Sequence, residues 1–414
     1  MYRHEIINTL IRKHGYKSYL EIGLDEGNRR NDEKVNCESK VSVDPAEGSR
    51  ATFNMTSDDF FKQNDKMFDI IFIDGLHHED QVIRDIENSL TFLKEGGSIV
   101  CHDCNPITEE MQIVPRMQGE WTGDVWKAFI YFRRFKNLAM YVVDTDYGVG
   151  VIQRGEQHPI TFSEPTYKDF EIHKKSWLHL ITPQEFKDAN PIISVCIPTF
   201  EQYGIGVKYF SKLLDSLKNQ KGCDFEVIVS DNSEDNSIET LCKSYESLNL
   251  KYVRNRDRIG ISHNTNNAIE NASCERIKIM YMDDVLLNEN ALALFADALD
   301  RRQWVVSRTK SINENDKEFA LHTPTWHDEI LQGKNTMGMP SIMAFKRNEF
   351  SFDPNLKTRL DCEFMWLMWN KYGAPTLLPD YLVAQRYHNK STSRMQGNLT
   401  DSEYEYLKQK HNLK

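Results

Sequence analysis

Twice along this chain short apolar runs alternate with segments of helical spacing, and between the two series the alternation stops. In the first series Ser18-Tyr19-Leu20-Glu21-Ile22-Gly23, Val41-Ser42-Val43-Asp44, Phe68-Asp69-Ile70-Ile71-Phe72-Ile73-Asp74 and Ser98-Ile99-Val100-Cys101 read as strands. Val82, Ile83, Ile86, Leu90 and Leu93 recur at helical spacing, so 80–93 is predicted as a helix stopped by Gly96-Gly97. Strands separated by helices imply a mostly parallel sheet with helices on its faces. The second series begins at Pro191, with strands expected at 192–198, 225–231, 251–253 and 277–282 and helices at 207–219, 237–247 and 260–271.

A hydrophobic core tends to stop growing near about 250–300 residues, and 414 residues exceed that. The expectation is therefore an α/β chain of two different doubly wound domains, 1–157 and 191–414, which share no motif and so are not a repeat. The polar stretch 158–190, with Pro159, Pro165 and Pro183, reads as a linker.

Hydrophobic residues at 40% and charged residues at 27% exclude disorder, collagen and coiled-coil rods. A net charge of −11 lacks the footprint of a general nucleic-acid binder. The N-terminus has neither the apolar core nor the cleavage site of a secretory signal. No apolar run approaches the roughly 18–20 residues that span a bilayer. Eight scattered cysteines, several in apolar runs, fit a reducing cytoplasm. The close pair Cys101 and Cys104 has no second pair at zinc-finger spacing.

The turn after the first strand carries Gly23 and Gly27 with Asp25 between them, and the second strand ends in Asp44. Glycines let a backbone approach a ligand closely, and a carboxylate ending the second strand can take both hydroxyls of a ribose. Glu21-Ile22-Gly23, Val43-Asp44-Pro45, Phe72-Ile73-Asp74-Gly75-Leu76-His77-His78, Leu93-Lys94-Glu95-Gly96-Gly97 and His102-Asp103 follow in order. In these motifs residues 17–153 resemble class I S-adenosylmethionine-dependent methyltransferases, particularly those acting on oxygen of small molecules and sugars. The resemblance implies a Rossmann-like domain with Glu21, Gly23 and Gly27 at the cofactor, Asp44 on its ribose and Ser57-Asp58 beside adenine. Dinucleotide oxidoreduction is the rival class, disfavoured by Asp25 and by the Leu-Lys-Glu-Gly-Gly turn. Removing a proton from an alcohol needs a base or a metal. Asp74 and Asp103 both follow strands and are candidates to hold magnesium, with His77, His78 and His102 as candidate bases, His78 preferred.

In the second series Ile197-Pro198-Thr199-Phe200-Glu201, Ser230-Asp231-Asn232-Ser233 and Tyr281-Met282-Asp283-Asp284-Val285 end strands, and Gly260 and Asn264 open a helix. Polar groups gathered at strand ends make a nucleotide site at the carboxyl edge of a parallel sheet. Residues 191–394 resemble family 2 glycosyltransferases of the GT-A fold. The resemblance implies a nucleotide-diphosphate sugar donor and a glycan acceptor. The donor site would comprise Pro198, Thr199, Glu201, Asp231, Asn232, Gly260, Asn264 and Asp283, with Asp231 facing the base and Asp283 the ribose. A magnesium or manganese ion would sit on Asp284, with His388 of Arg386-Tyr387-His388 completing the site or touching the diphosphate. Tyr281 stands where many members have another Asp. Asp361, with Glu363 in reserve, is the candidate base for an inverting transfer, and Gly338-Met339-Pro340-Ser341 matches an acceptor-side loop. Trp366 and Trp369 recur at helical spacing and read as core, while Trp121, Trp126, Trp304 and Trp326 stay unassigned.

The reading is a bifunctional enzyme that builds a methylated glycan. Its rivals are a glycosyltransferase with a degenerate methyltransferase-like scaffold and a non-enzymatic carbohydrate-binding protein.

Overall fold

A computed structural model describes residues 1–24, 31–201, 204–257, 260–390 and 400–413, in two compact units, Met1–Asn190 and Pro191–Lys414. Among the described residues no helix is long and apolar enough to cross a membrane.

The first unit is one sheet of β1 (Ser18–Ile22), β2 (Ser39–Val43), β3 (Phe68–Ile73), β4 (Leu93–Cys101), β5 (Leu138–Val143), β6 (Val149–Arg154) and β7 (Leu180–Ile181). Their order is β2-β1-β3-β4-β6-β5-β7, parallel from β2 to β4, with β6 antiparallel to both its neighbours. Successive side chains on a strand point to opposite faces. Leu20, Ile22, Ile71 and Ile73 accordingly share a buried cluster with Val82 and Ile86 of the helix Glu79–Phe92. Tyr19, Ile70 and Phe72 share another with Ile6, Ile7, Leu10 and Ile11 of the helix Arg3–His14. The helix after β3 ends at Phe92, one residue before its expected end. Leu93 already belongs to β4, whose register against β3 shifts between Phe68 and Ile70. Gly96-Gly97 thus lies inside a strand rather than stopping a helix.

The stretch 158–190, expected as a linker, folds onto this unit. It forms the helix Tyr167–Trp177, then β7 parallel to β5, then the helix Pro183–Ala189. Phe170, Leu178 and Phe186 are fully buried in it. Each helix opens on a capping box, Thr166 with Asp169 and Thr182 with Glu185. Pro183 occupies the first helical turn, where a missing N–H costs nothing, so this proline starts a helix rather than marking loose chain.

The second unit contains β8 (Ile193–Thr199), β9 (Phe225–Asp231), β10 (Leu250–Arg254), β11 (Arg276–Ile279), β12 (Val285–Leu286), β13 (Trp304–Ile312), β14 (Glu318–His322), β15 (Met343–Lys346) and β16 (Thr376–Arg386). The order is β10-β9-β8-β11-β15-β13-β16-β12, with β14 on β13. The segment β10-β9-β8-β11 is parallel, and β8, buried at all seven residues, is its central strand. Strands buried on both faces read as continuous apolar runs, which is why this half was legible. β11 stops at Ile279, so Tyr281 and Met282 lie beyond the strand rather than within it.

Candidate active sites

In the first unit β1 pairs β2 on one side and β3 on the other, so the chain reverses direction across the sheet at the carboxyl end of β1. Crevices at such a point are where ligands bind in open α/β sheets. Gly23 sits there with φ 86°, and a Cβ on it would lie 2.2 Å from the Asp74 carbonyl oxygen, so only glycine fits. Asp44 Oδ2 accepts from the Leu24 amide at 2.7 Å and Oδ1 from the Ala46 amide at 2.8 Å, which fixes the carboxylate with lone pairs to spare. Glu21 is 2% exposed and takes the Tyr19 hydroxyl at 2.6 Å; burial pushes its carboxyl up to about 8. Gln81 donates to Ser57 Oγ at 3.2 Å, Asp58 Oδ1 at 3.3 Å and Asp85 Oδ1 at 3.1 Å. Gly27 lies outside the described residues.

Next to this crevice Asp74, His102 and Asp103 each bring a ligand atom within 4.8 Å of the others. Asp103 adopts a left-handed conformation, φ 61°, which a non-glycine residue rarely takes and which here belongs to the cluster. His102 Nδ1 lies 3.1 Å from Asp74 Oδ1 and 3.3 Å from Asp103 Oδ1. His77 bridges the same carboxylates, Nε2 to Asp74 at 3.3 Å and Nδ1 to Asp103 at 3.2 Å. It stacks on Trp121 with ring centroids 5.3 Å apart. Gly123 presses on it from behind, since a Cβ there would lie 1.9 Å from the His77 carbonyl. Burial pushes both imidazoles down, but Asp74 and Asp103 more than offset it, leaving His77 raised and His102 well above the ordinary range. Burial likewise opposes ionisation of Asp74, yet His102 and His77 hold it well below the usual carboxylate range.

His78, the preferred base in the sequence reading, is not in this cluster. It is the residue before the helix Glu79–Phe92, and its ring lies edge-on to Trp121 at 6.2 Å. Two residues unread in the sequence complete the cluster. Arg3 donates to Asp146 Oδ2 and approaches His102 Nε2, both at 3.1 Å, and its Nε lies 3.7 Å from Asp74. Nothing in a lone arginine near an N-terminus, or in a turn aspartate after β5, signals such a meeting.

In the second unit the equivalent crevice lies between β8 and its neighbours. Thr199 is buried and donates to the Ser230 carbonyl at 3.1 Å. Asp231 is fully buried; its Oδ1 accepts from Ser233 and its Oδ2 from the Tyr252 hydroxyl at 2.7 Å. Both of its carboxylate oxygens are thus engaged, by Ser233 on one side and Tyr252 on the other. Asn264 donates to the Thr199 carbonyl at 2.9 Å and accepts from Ser230 Oγ at 2.6 Å, tying β8 to β9. Asn232 Oδ1 accepts from the Gly260 amide at 3.3 Å. Pro198 is buried within β8 beside Ser230. Glu201, expected at the nucleoside, turns elsewhere: its carboxylate accepts from the amides of Gly204, Gly206 and Val207 at 2.8–3.0 Å. These are orphan donors at the start of the helix Gly206–Lys218, and a carboxylate is favoured there.

Asp283 Oδ2 and His388 Nε2 are 2.9 Å apart, and Asp284 Oδ1 accepts from the Arg386 amide at 3.1 Å. β16 delivers both contacts, because Arg386 is its last residue. Asp284 is 3% exposed, and burial together with Asp283 pushes its carboxyl up to about 8. Asp361 opens the helix Leu360–Tyr372 and accepts from Asn335 Nδ2 at 2.9 Å and from the Cys362 amide at 2.8 Å. Burial pushes its carboxyl up to about 6. Burial first, and the charge of Asp361 second, push the Tyr281 hydroxyl well above its ordinary range. Glu363, the reserve base, is excluded by geometry: it is 1% exposed and paired with Lys410 at 2.6 Å and His411 at 2.7 Å. Residues two apart on a helix point about 200° away from each other, so Glu363 cannot share the face of Asp361. Ser341, in the expected acceptor-side loop, accepts from the Tyr281 amide at 2.8 Å.

A family model described as a methyltransferase domain matches residues 7–104, and one described as glycosyl transferase family 2 matches 194–367. The chain carries a methyltransferase domain followed by a family 2 glycosyltransferase domain. It is a transferase, which sets aside the reading as a non-enzymatic carbohydrate-binding protein. It is 30% identical over 222 residues to an uncharacterized protein of Mycobacterium tuberculosis (strain CDC 1551 / Oshkosh), covering 48% of this chain and 68% of the relative. It is also similar to S. aureus TarS 1-349 in complex with UDP, at 21% identity and TM-score 0.39, covering 48% of this chain and 61% of that one. Of another TarS chain it spans 37%. The SAH-bound Podospora anserina methyltransferase PaMTH1 is similar at 16% identity and TM-score 0.30, covering 37% of this chain and 78% of that one. Asp74, His77, His102 and Asp103 fall within the matched methyltransferase segment, whereas Arg3 and Asp146 lie outside it; Asp283, Asp284, Asp361 and Glu363 fall within the matched glycosyltransferase segment.

Proposed function

We propose that the methyltransferase domain methylates a sugar hydroxyl from S-adenosylmethionine, and that the glycosyltransferase domain transfers a sugar with inversion from a nucleotide-diphosphate donor to a glycan acceptor. The observation that carries this reading is a gathering of carboxylates with imidazoles beyond the parallel strands of each unit. Asp74, Asp103, His77 and His102 meet in one, and Asp283 meets His388 in the other. The two reactions then serve one product, a methylated glycan.

In the methyltransferase domain Asp44 and the Gly23 turn bind and orient the cofactor, which supplies an electrophilic methyl group. Asp74 and Asp103 hold the acceptor side. Two carboxylate oxygens and one imidazole make a donor set that suits a hard divalent cation, Asp74, Asp103 and His102 being its holders. Such an ion lowers the pKa of a coordinated hydroxyl. His77, shared between the same carboxylates and covered by Trp121, is placed to receive the proton.

Calorimetric titration of the full chain with S-adenosylmethionine tests the cofactor site. Asp44→Asn keeps an acceptor for the Leu24 amide but removes the charge, and affinity should fall by about ten- to a hundredfold. Unchanged affinity would move the site elsewhere. The cation is tested separately. Methyl transfer should cease on chelation and return with magnesium, whereas full activity in metal-stripped protein would leave His77 acting without an ion.

In the glycosyltransferase domain Asp283, Asp284 and His388 hold the donor end. Burial beside a second carboxylate raises the Asp284 carboxyl, a penalty that a bound divalent cation would relieve. When bound, that ion neutralises the donor diphosphate and the departing nucleotide. Asp361, held in place by Asn335, takes the proton of the acceptor hydroxyl as that oxygen attacks the anomeric carbon. Attack and departure occur in a single displacement, so the anomeric centre inverts.

A further inference from the structure

We propose that Glu403, on the C-terminal helix Thr400–His411, is a positioning residue for sugar transfer that fixes the helix bearing Asp361. The inference rests on the reading of Asp361 as the base. The helix Leu360–Tyr372 begins after Arg359, which gives no side-chain cap to the first turn. Amides at and before such a start have no partner within the helix. Glu403, only 6% exposed, supplies one from another element. Its carboxylate accepts from the amides of Lys357 at 2.7 Å, Thr358 at 3.2 Å and Arg359 at 3.0 Å, and from the Thr358 hydroxyl at 2.6 Å. A negative charge at a helix start is also favoured by the aligned peptide dipoles.

Asp361 comes two residues after Arg359, so any movement of this anchor reaches its carboxylate through less than one helical turn. The neighbouring loop is tied to the same place. Arg359 donates to the Leu331 carbonyl at 2.7 Å, and Asn335 holds Asp361 Oδ2. Glu403 therefore secures the backbone from which the base projects, and Asn335 secures the carboxylate itself. Lys408 provides a control on the same helix. It pairs with the exposed Glu405 of its own helix at 3.1 Å.

The experiment uses the full chain with manganese and a panel of UDP- and GDP-sugars, following release of UDP or GDP and measuring donor affinity by calorimetry. Glu403→Gln keeps the side-chain size but turns an amide N–H toward donors. It should lower kcat by roughly 10- to 100-fold, the scale of a misplaced catalytic group, with donor affinity unchanged within about twofold. Glu403→Asp should recover part of the loss, and Lys408→Met should turn over normally. Because Glu403 acts through Asp361, Glu403→Gln combined with Asp361→Asn should lose no more than Asp361→Asn alone. If Glu403→Gln does not fold, Glu403→Asp carries the test, with reduced kcat and unchanged donor affinity expected. Normal turnover in the Glu403 variant beside an inactive Asp361→Asn would overturn this inference alone. So would equal losses of donor affinity and kcat, or multiplying losses in the double variant. Normal turnover in Asp361→Asn would overturn the base assignment, and this inference with it.

Discussion

Asp361→Asn is expected to bind the nucleotide-sugar donor as the parent does and to lose turnover by at least about 100-fold, the lower end of what general-base removal costs. The base acts only while the acceptor hydroxyl attacks, so its loss raises the barrier without touching the ground-state complex with donor. The substitution is nearly isosteric. The side-chain carbonyl of the variant would still accept from the Cys362 amide, leaving the helix start intact. The pH profile adds a second readout. Burial pushes Asp361 up to about 6, and a base must be unprotonated, so turnover should rise with pH through about 6 and level off above it. That limb should vanish in Asp361→Asn. Products of the parent enzyme should have an inverted anomeric centre. Retained configuration, or near-normal turnover of the variant, would remove Asp361 from the chemistry, and Glu363 is not available to replace it because Lys410 and His411 occupy it.

Asp284→Asn should behave in the opposite way, weakening donor affinity and turnover together by about ten- to a hundredfold each. Both the bound donor and the transition state carry the diphosphate charge, so an ion held by Asp284 lowers the energy of both. Asparagine rather than alanine is the informative change, since it can still accept from the Arg386 amide and removes only the charge. Chelation should mimic the substitution in the parent protein, and added manganese should restore the chelated parent but not the variant. Donor affinity indifferent to both treatments would mean that Asp284 is only a buried strut beneath Asp283 and His388.

These contrasts trace back to how the sites are built. The positions of Asp74, Asp231 and Asp283 were legible because each ends or follows a buried apolar run, and Asp44 because it follows the alternating Val41-Ser42-Val43; a parallel strand ends where its ligand edge begins. Asp361 was legible as an acid at the start of an apolar helix, but so was Glu363, and local sequence offered no way to choose between them. The choice was made by helical geometry and by a helix some 40 residues further on, whose Lys410 and His411 claim Glu363. Glu201 shows the same limit. An acid after a strand looks like a ligand, yet its carboxylate goes to the Gly204 amide and to the first two amides of the helix that follows.

What the sequence determined by itself was the alternation of strands and helices, the division into two α/β units, and the strand-end carboxylates, because all of these follow from apolar periodicity and short-range punctuation. The prolines of 158–190 misled for the opposite reason: their meaning depends on Phe170, Leu178 and Phe186 finding a core to enter. Only the tertiary structure chose His77 and His102 over His78, brought Arg3 and Asp146 to Asp74, set Asp283 against His388, and placed Glu403 at the amides before Asp361. Each of those meetings joins residues from different elements. Their partners are selected by which charged or unpaired groups the packed sheet leaves facing one another, and no local pattern in the chain records that.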